Sequence, residues 1–224
     1  MESSIQRLTT HTLPFNMVPV LKDKNKTNFE LVIARYDEDI HWSDNYAAFR
    51  TVYNKGEPLE CENIPLENKG HLADTILKHI ILRYNTLSDT TFFCHGSLNY
   101  RKDQQIKETI PCHVLWQDFI SLKKNTCVFI PRNDLEKSSH KYHHNSKTVG
   151  EVYKQFFKRE YRPNFLWACG LWISVSKELI HKQSIEFYKE MHDWILEGNP
   201  TQDEYRARGI YIERFLLHAF LDYI

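Results

Sequence analysis

The chain has 224 residues, 42% hydrophobic and 13% aromatic, which provides for one substantial core and excludes a disordered chain. Its 29 Lys and Arg balance 29 Asp and Glu, so no global field exists to hold a nucleic acid, and none is expected as a partner. The seven glycines lie far apart, and neither G-x-G-x-x-G nor a Walker A loop can be written from them, which excludes the glycine-loop ways of holding a nucleotide.

Residues 1–28 read as an N-terminal arm without the basic-then-apolar pattern of a leader. No apolar run approaches the ~18 residues of a spanning helix, so no transmembrane segment is expected. The five cysteines are odd in number and form no C-x-x-C pair. They fit free thiols in a reducing compartment, and the protein reads as cytoplasmic.

"FELVIAR" (29–35) is a short apolar, β-branched run and predicts a buried strand. "DIHWSDNYAAF" carries a helical turn or two, and "RTVYN" (50–54) predicts a second strand ended by "KGEP". Apolar residues at 72, 76, 77, 80, 81 and 84 follow helical spacing over 71–84. "TFFCH" (91–95) predicts a third strand, so the order β, β, α, β is that of an α/β sheet. Further on, 127–131 and 166–176 read as strands, 136–150 as a polar loop and 151–159 as a helix. Ser176 and Ser184 are expected to cap a short and a longer helix, the latter stopped by Gly198. The last segment, 203–224, is expected to be helical in its second half. The whole of 29–224 reads as one domain.

Asp37-Glu38-Asp39 follows the first strand directly, where open α/β sheets bind ligands. Two readings stand: a D-x-D metal clamp, or acids at the start of a helix, satisfying its free N–H groups. "NKGHLADT" (68–75) reads as an ordinary loop-to-helix turn, with close backbone approach to an anion as the alternative. His95-Gly96-Ser97 stands at the end of the third strand, where a histidine can ligate metal, donate to a phosphate or act as a base. The three histidines of "HKYHH" (140–144) lack an H-E-x-x-H frame and read as a solvated loop. No G-x-S-x-G elbow supports a serine nucleophile.

Taken together, "IARYDEDIHW", "VYNKG", "IPLENKGHLADTILKHIILRYNTLSDTTFFCHGS" and "YIERFLLHAF" resemble a family of small glycosyltransferase-like proteins of bacteria, fungi and large DNA viruses. Order and spacing are kept over about 29–97 and again over about 168–222. The resemblance implies a GT-A-like, Rossmann-like single domain: α/β, with a mixed, mostly parallel sheet flanked by helices. It implies transfer of a sugar from a nucleotide-sugar donor to a glycan or small-molecule acceptor. By motif position Arg35, Tyr36, Glu38 and Trp42 are expected at the donor pocket with Asn54, Lys55, Asn68, Gly70, His95, Gly96, Ser97 and Arg214. Asp39 and Glu213 are the expected catalytic carboxylates, and His95 is the expected ligand for Mn2+ or Mg2+, a metal-independent route being the alternative. Two departures stand out: the family's Arg-Glu after the glycine is His71-Leu72 here, and its Asn is Asp37. The alternatives are a non-catalytic nucleotide-sugar or carbohydrate binder, and a metal-dependent hydrolase built on Asp37, Asp39 and His95.

Overall fold

The structure, a computed structural model, describes residues 28–97, 127–133, 141, 146–162 and 166–221. The expected arm, except for residue 28, and the histidines at 140, 143 and 144 lie outside the described residues.

Six strands form one sheet: β1 (Phe29–Arg35), β2 (Arg50–Asn54), β3 (Ile64–Pro65), β4 (Thr90–His95), β5 (Cys127–Asn133) and β6 (Leu166–Ser176). Their order across the sheet is β3-β2-β1-β4-β6-β5. β1, β2, β3 and β4 pair in parallel. β6 runs antiparallel to both β4 and β5, so five strands point one way and only β6 points back. The α/β class and the mixed, mostly parallel sheet agree with the sequence reading. β1 has a neighbour on each side and packing on each face, which is why it is apolar without alternation: Leu31, Val32 and Ile33 are all fully buried.

Among the described residues the α-helices are α1 (His71–Arg83), α2 (Val149–Phe157), α3 (Lys177–Ile180), α4 (Ile185–Leu196) and α5 (Gln202–Leu221), with a 3-10 helix at His41–Phe49 between β1 and β2. Val32, Ala34, Tyr53, Phe93, Ile173 and Val175 share one core with Leu72, Ile76 and Ile80 of α1, Met191 and Ile195 of α4 and Tyr211 and Phe215 of α5. These helices therefore cover one face of the sheet. Strand alternation sends Leu31, Ile33, Val52 and Phe92 to the other face, where they are also buried. Ser184 caps α4 by accepting from the Phe187 N–H, and Gly198 and Asn199, both left-handed at φ 77° and 50°, end the chain's run beyond it.

Two helices begin earlier than their apolar spacing predicts. α2 starts inside the expected loop because Thr148 and Glu151 form a capping box, each side chain satisfying the other's backbone N–H. α5 is helical from Gln202, not only in its second half, and the same device starts it. The Thr201 N–H donates to Glu204 Oε2 at 2.7 Å, and the Thr201 hydroxyl accepts from the Glu204 N–H at 3.4 Å. Gly209 is the residue that weakens a helical reading there, and the structure explains it. A Cβ at 209 would lie 2.5 Å from the Gly70 carbonyl oxygen, so only glycine lets α5 lie against the turn before α1.

Cys94 and Cys127 are buried free thiols, pushed above the ordinary thiol range by burial alone. Among the described residues no helix is long and apolar enough to cross a membrane.

Alanine is the better helix former by about 1 kcal/mol, so Gly209→Ala separates propensity from packing. The variant is expected to lose about 1–3 kcal/mol in urea unfolding, the range for overpacking, despite its gain in propensity.

Candidate functional site

β1 leads to β2 and β3 on one side, and the chain then crosses α1 to place β4 on the other side of β1. Strand order thus reverses between β1 and β4. The crevice outside the carboxyl ends of two such strands is where open α/β sheets bind ligands. Here the two ends are stitched together. The Gly96 N–H donates to the Ala34 carbonyl at 3.0 Å, and Trp42 Nε1 donates to the Gly96 carbonyl at 2.7 Å. Glu38 lies over Gly96, its Cβ and Oε2 each 3.0 Å from where a side chain at 96 would begin.

Arg35, the last residue of β1, is only 8% exposed. Its Nη1 donates to Asn54 Oδ1 at 2.8 Å and to the Glu57 carbonyl at 2.6 Å, and its Nε to the Glu38 carbonyl at 3.1 Å. Asn54 Nδ2 donates to the same Glu57 carbonyl at 2.9 Å. The pair thereby locks the loop after β2 onto the loop after β1.

Lys55 does the same for the turn before α1. Its side chain is 4% exposed and that of Asp74 3%, and Nζ lies 2.9 Å from Asp74 Oδ2. Nζ also donates to the carbonyls of Lys69 at 3.2 Å and His71 at 2.5 Å. Asp74 Oδ1 pairs with His192 Nε2 of α4 at 3.1 Å. Burial holds the Lys55 pKa below that of an ordinary lysine, and the Asp74 charge offsets part of the shift. Burial alone would push the Asp74 carboxyl up. The His192 hydrogen bond and the Lys55 charge outweigh it, and the group titrates below its ordinary 3.8.

Two cavities open at this end of the sheet. The smaller, about 240 Å³, is lined by Arg35, Tyr36, Glu38, Lys55, Asn68, His71 and His95 together with Ala34 and Leu72. The larger, about 730 Å³, carries five carboxylates, those of Asp37, Glu38, Asp39, Asp44 and Glu60, beside Arg35 and His41. Arg35 and Glu38 line both, so they form the wall between a cation-lined and an acid-lined space. Glu38 Oε2 accepts the Tyr36 N–H at 2.6 Å.

The structure separates the expected residues. Arg35, Tyr36, Glu38, Lys55, Asn68 and His95 meet at the small cavity. Asp39 lines only the large one, and its Oδ1 accepts the His41 N–H at 2.9 Å at the start of the 3-10 helix. Asp37 accepts the Glu57 N–H at 3.4 Å, so both aspartates of the triplet serve backbone N–H groups of turns, as the second reading has it in part, and only the middle Glu38 reaches the small cavity. Trp42, Asn54 and Gly96 build the walls. Gly70, at φ 62°, packs on Ile195 and Gly209, and Ser97 follows half-buried. Glu213 and Arg214, half-buried in the middle of α5, line neither cavity. Among the described residues no three His, Cys, Asp or Glu side chains converge as a metal site.

A family model described as Protein of unknown function (DUF3431) matches residues 31–221. The chain belongs to the DUF3431 family. No curated protein and no solved structure matches it. The matched span runs from β1 to the end of α5, so every wall of the crevice lies within the DUF3431 unit.

The residue of this DUF3431 chain that motif reading set aside is His71. It lines the small cavity in a left-handed conformation at φ 54°, which a side-chain-bearing residue seldom adopts. Its signal was present: a histidine directly after a glycine at the mouth of an apolar helix.

Asp74→Asn leaves a buried lysine without its counter-charge and is expected to cost about 3–5 kcal/mol at neutral pH. Because the folded pKa of Asp74 lies below 3.8, its contribution is complete above that value and lost as pH falls through the folded pKa. Urea melts of both proteins across that range should show the stability gap closing in acid.

Proposed function

We propose that this protein is a cytoplasmic glycosyltransferase of GT-A-like fold that moves a sugar from a nucleotide-sugar donor to a hydroxyl of a glycan or small-molecule acceptor. The observation that carries the reading is the wall formed by Arg35 and Glu38 at the reversal of strand order, with cationic side chains on one side and carboxylates on the other. Sugar transfer needs positive charge where the diphosphate leaves and a carboxylate where the acceptor gives up its proton. The acceptor oxygen bonds to the anomeric carbon as the bond to the phosphate oxygen breaks, and the nucleoside diphosphate departs with the electron pair. Glu38 is the carboxylate on both cavities and is the base on this reading, ahead of Asp39 and Glu213. Among the described residues the donors of a metal do not converge here, so the cationic side chains are given the leaving group, and the assay with and without manganese tests a Mn2+ or Mg2+ requirement.

A second reading has its own support. The hydrogen bonds of Arg35, Asn54 and Lys55 are engaged in holding loops, as in a non-catalytic nucleotide-sugar or carbohydrate binder of the same fold. The hydrolase reading lacks such support, since Asp37 and Asp39 line one cavity and His95 the other.

A thermal-shift screen with UDP, GDP, CMP and dTDP sugars, with and without manganese, tests the reading. Stabilisation by one of them is expected, and none at all sinks it. With the donor found, Glu38→Gln is expected to lower sugar transfer by about 10²–10⁴-fold, the usual range for a general base, with donor binding little changed. Equal turnover in the variant would remove Glu38 from that role, and binding without turnover on any acceptor would favour the binder.

A further inference from the structure

The small cavity, at about 240 Å³, lies below the ~300 Å³ at which sites for whole small molecules begin, so it suits one group of a larger ligand. Its chemistry says which. Arg35, Lys55, His71 and His95 line it against a single carboxylate, Glu38, whose Oε2 is already engaged by the Tyr36 N–H. The neighbouring space has five carboxylates. An anionic group is therefore drawn into the small cavity and turned away from the large one.

The cations do not contribute alike. Lys55 Nζ has three donors and three protein acceptors, the carbonyls of Lys69 and His71 and the Asp74 carboxylate. Arg35 Nε and Nη1 hold carbonyls and Asn54. Lys55 is fully engaged and its charge is matched by Asp74, while Arg35 keeps its charge at the cavity with Nε and Nη1 committed to the loops. The His71 ring has no hydrogen-bond partner among the described residues, and it stands exposed at the cavity. Its position is secured from behind, because Lys55 grips the carbonyl of His71 and that of Lys69 two residues before it.

We propose that the small cavity is a phosphate-binding subsite and that His71 is its hydrogen-bond donor. This deepens the transferase reading and rests on it only for the rest of the ligand. Groups of both signs share the cavity with the ring, Arg35 at the end of β1, Glu38 after it, Lys55 after β2 and His95 at the end of β4, and Arg206 of α5 acts on it with Lys55. The ring is open to solvent on one side only; partial desolvation against the cavity wall, then the charges of Arg206 and Lys55, hold the His71 pKa below its ordinary 6.5. The empty site therefore has a neutral imidazole at neutral pH. An anion against the ring reverses the balance, so binding takes up a proton and weakens as pH rises.

The test is calorimetric titration of the whole chain with inorganic pyrophosphate, in two buffers of different ionisation heat. His71→Asn is the variant, since asparagine tolerates the left-handed backbone and cannot take the proton. Glu60→Gln, in the acid-lined cavity, is the control, and circular dichroism and melting temperature check each fold. Wild type should bind pyrophosphate and take up more protons than His71→Asn, a difference that cancels the titration of pyrophosphate itself. His71→Asn should bind about tenfold more weakly, the worth of one charge-assisted hydrogen bond, and Glu60→Gln no more weakly than wild type. No binding of pyrophosphate by wild type, or unchanged affinity and proton uptake in His71→Asn, would overturn the subsite. Nucleotide-sugar binding alongside that failure would leave the transferase reading standing without it. Pyrophosphate binding through His71, with no nucleotide sugar bound, would keep the subsite and remove the transferase.

Discussion

The ammonium of Lys55, buried against Asp74, is the interaction on which the functional end of the molecule depends. It joins the loop after β2, the turn before α1 and, through His192, the helix α4. An apolar pair of equal volume could replace such an ion pair without net loss of stability. It could not grip two carbonyls and so hold a histidine in a left-handed conformation. What the pair contributes is geometry: it sets one wall of the small cavity relative to the sheet.

Arg35 repeats the logic on the other wall. A guanidinium at the end of a central strand has little solvent, so its donors find carbonyls and Asn54 instead. The loops after β1 and β2 are thereby rigid against each other, and the charge remains at the rim of both cavities. One residue thus serves as scaffold and as a source of field. His71 stands in front of this frame with its ring unengaged among the described residues, and Glu38 stands there held by the Tyr36 N–H.

Much of this was legible in the chain. Continuous apolar runs mark β1 and β4, because a strand covered on both faces has no polar side to show. The rule that ligands gather at carboxyl strand ends picked out Glu38 and His95, and the family resemblance added Arg35. Other features were legible only in part. The start of α5 was written in Thr201 and Glu204, but Gly209 masks the helix until its close approach to Gly70 is known. β3 is two residues long, and no periodicity can mark it. That Asn54 and Lys55 are turned to backbone partners depends on the loops that meet them, which local sequence does not encode. His71 looked like the loss of a charged pair, when it is a side chain placed at the cavity by the turn behind it.

Glu38 and Gly96 meet across the crevice with no room between them. The space belongs jointly to two positions 58 residues apart in the chain. A side chain gained at 96 would press on the Cβ and carboxylate of Glu38, which would have to give by a few tenths of an ångström. A change at 96 is therefore felt at 38: it would shift the carboxylate that stands between the two cavities, at a distance along the chain where no local effect could reach it.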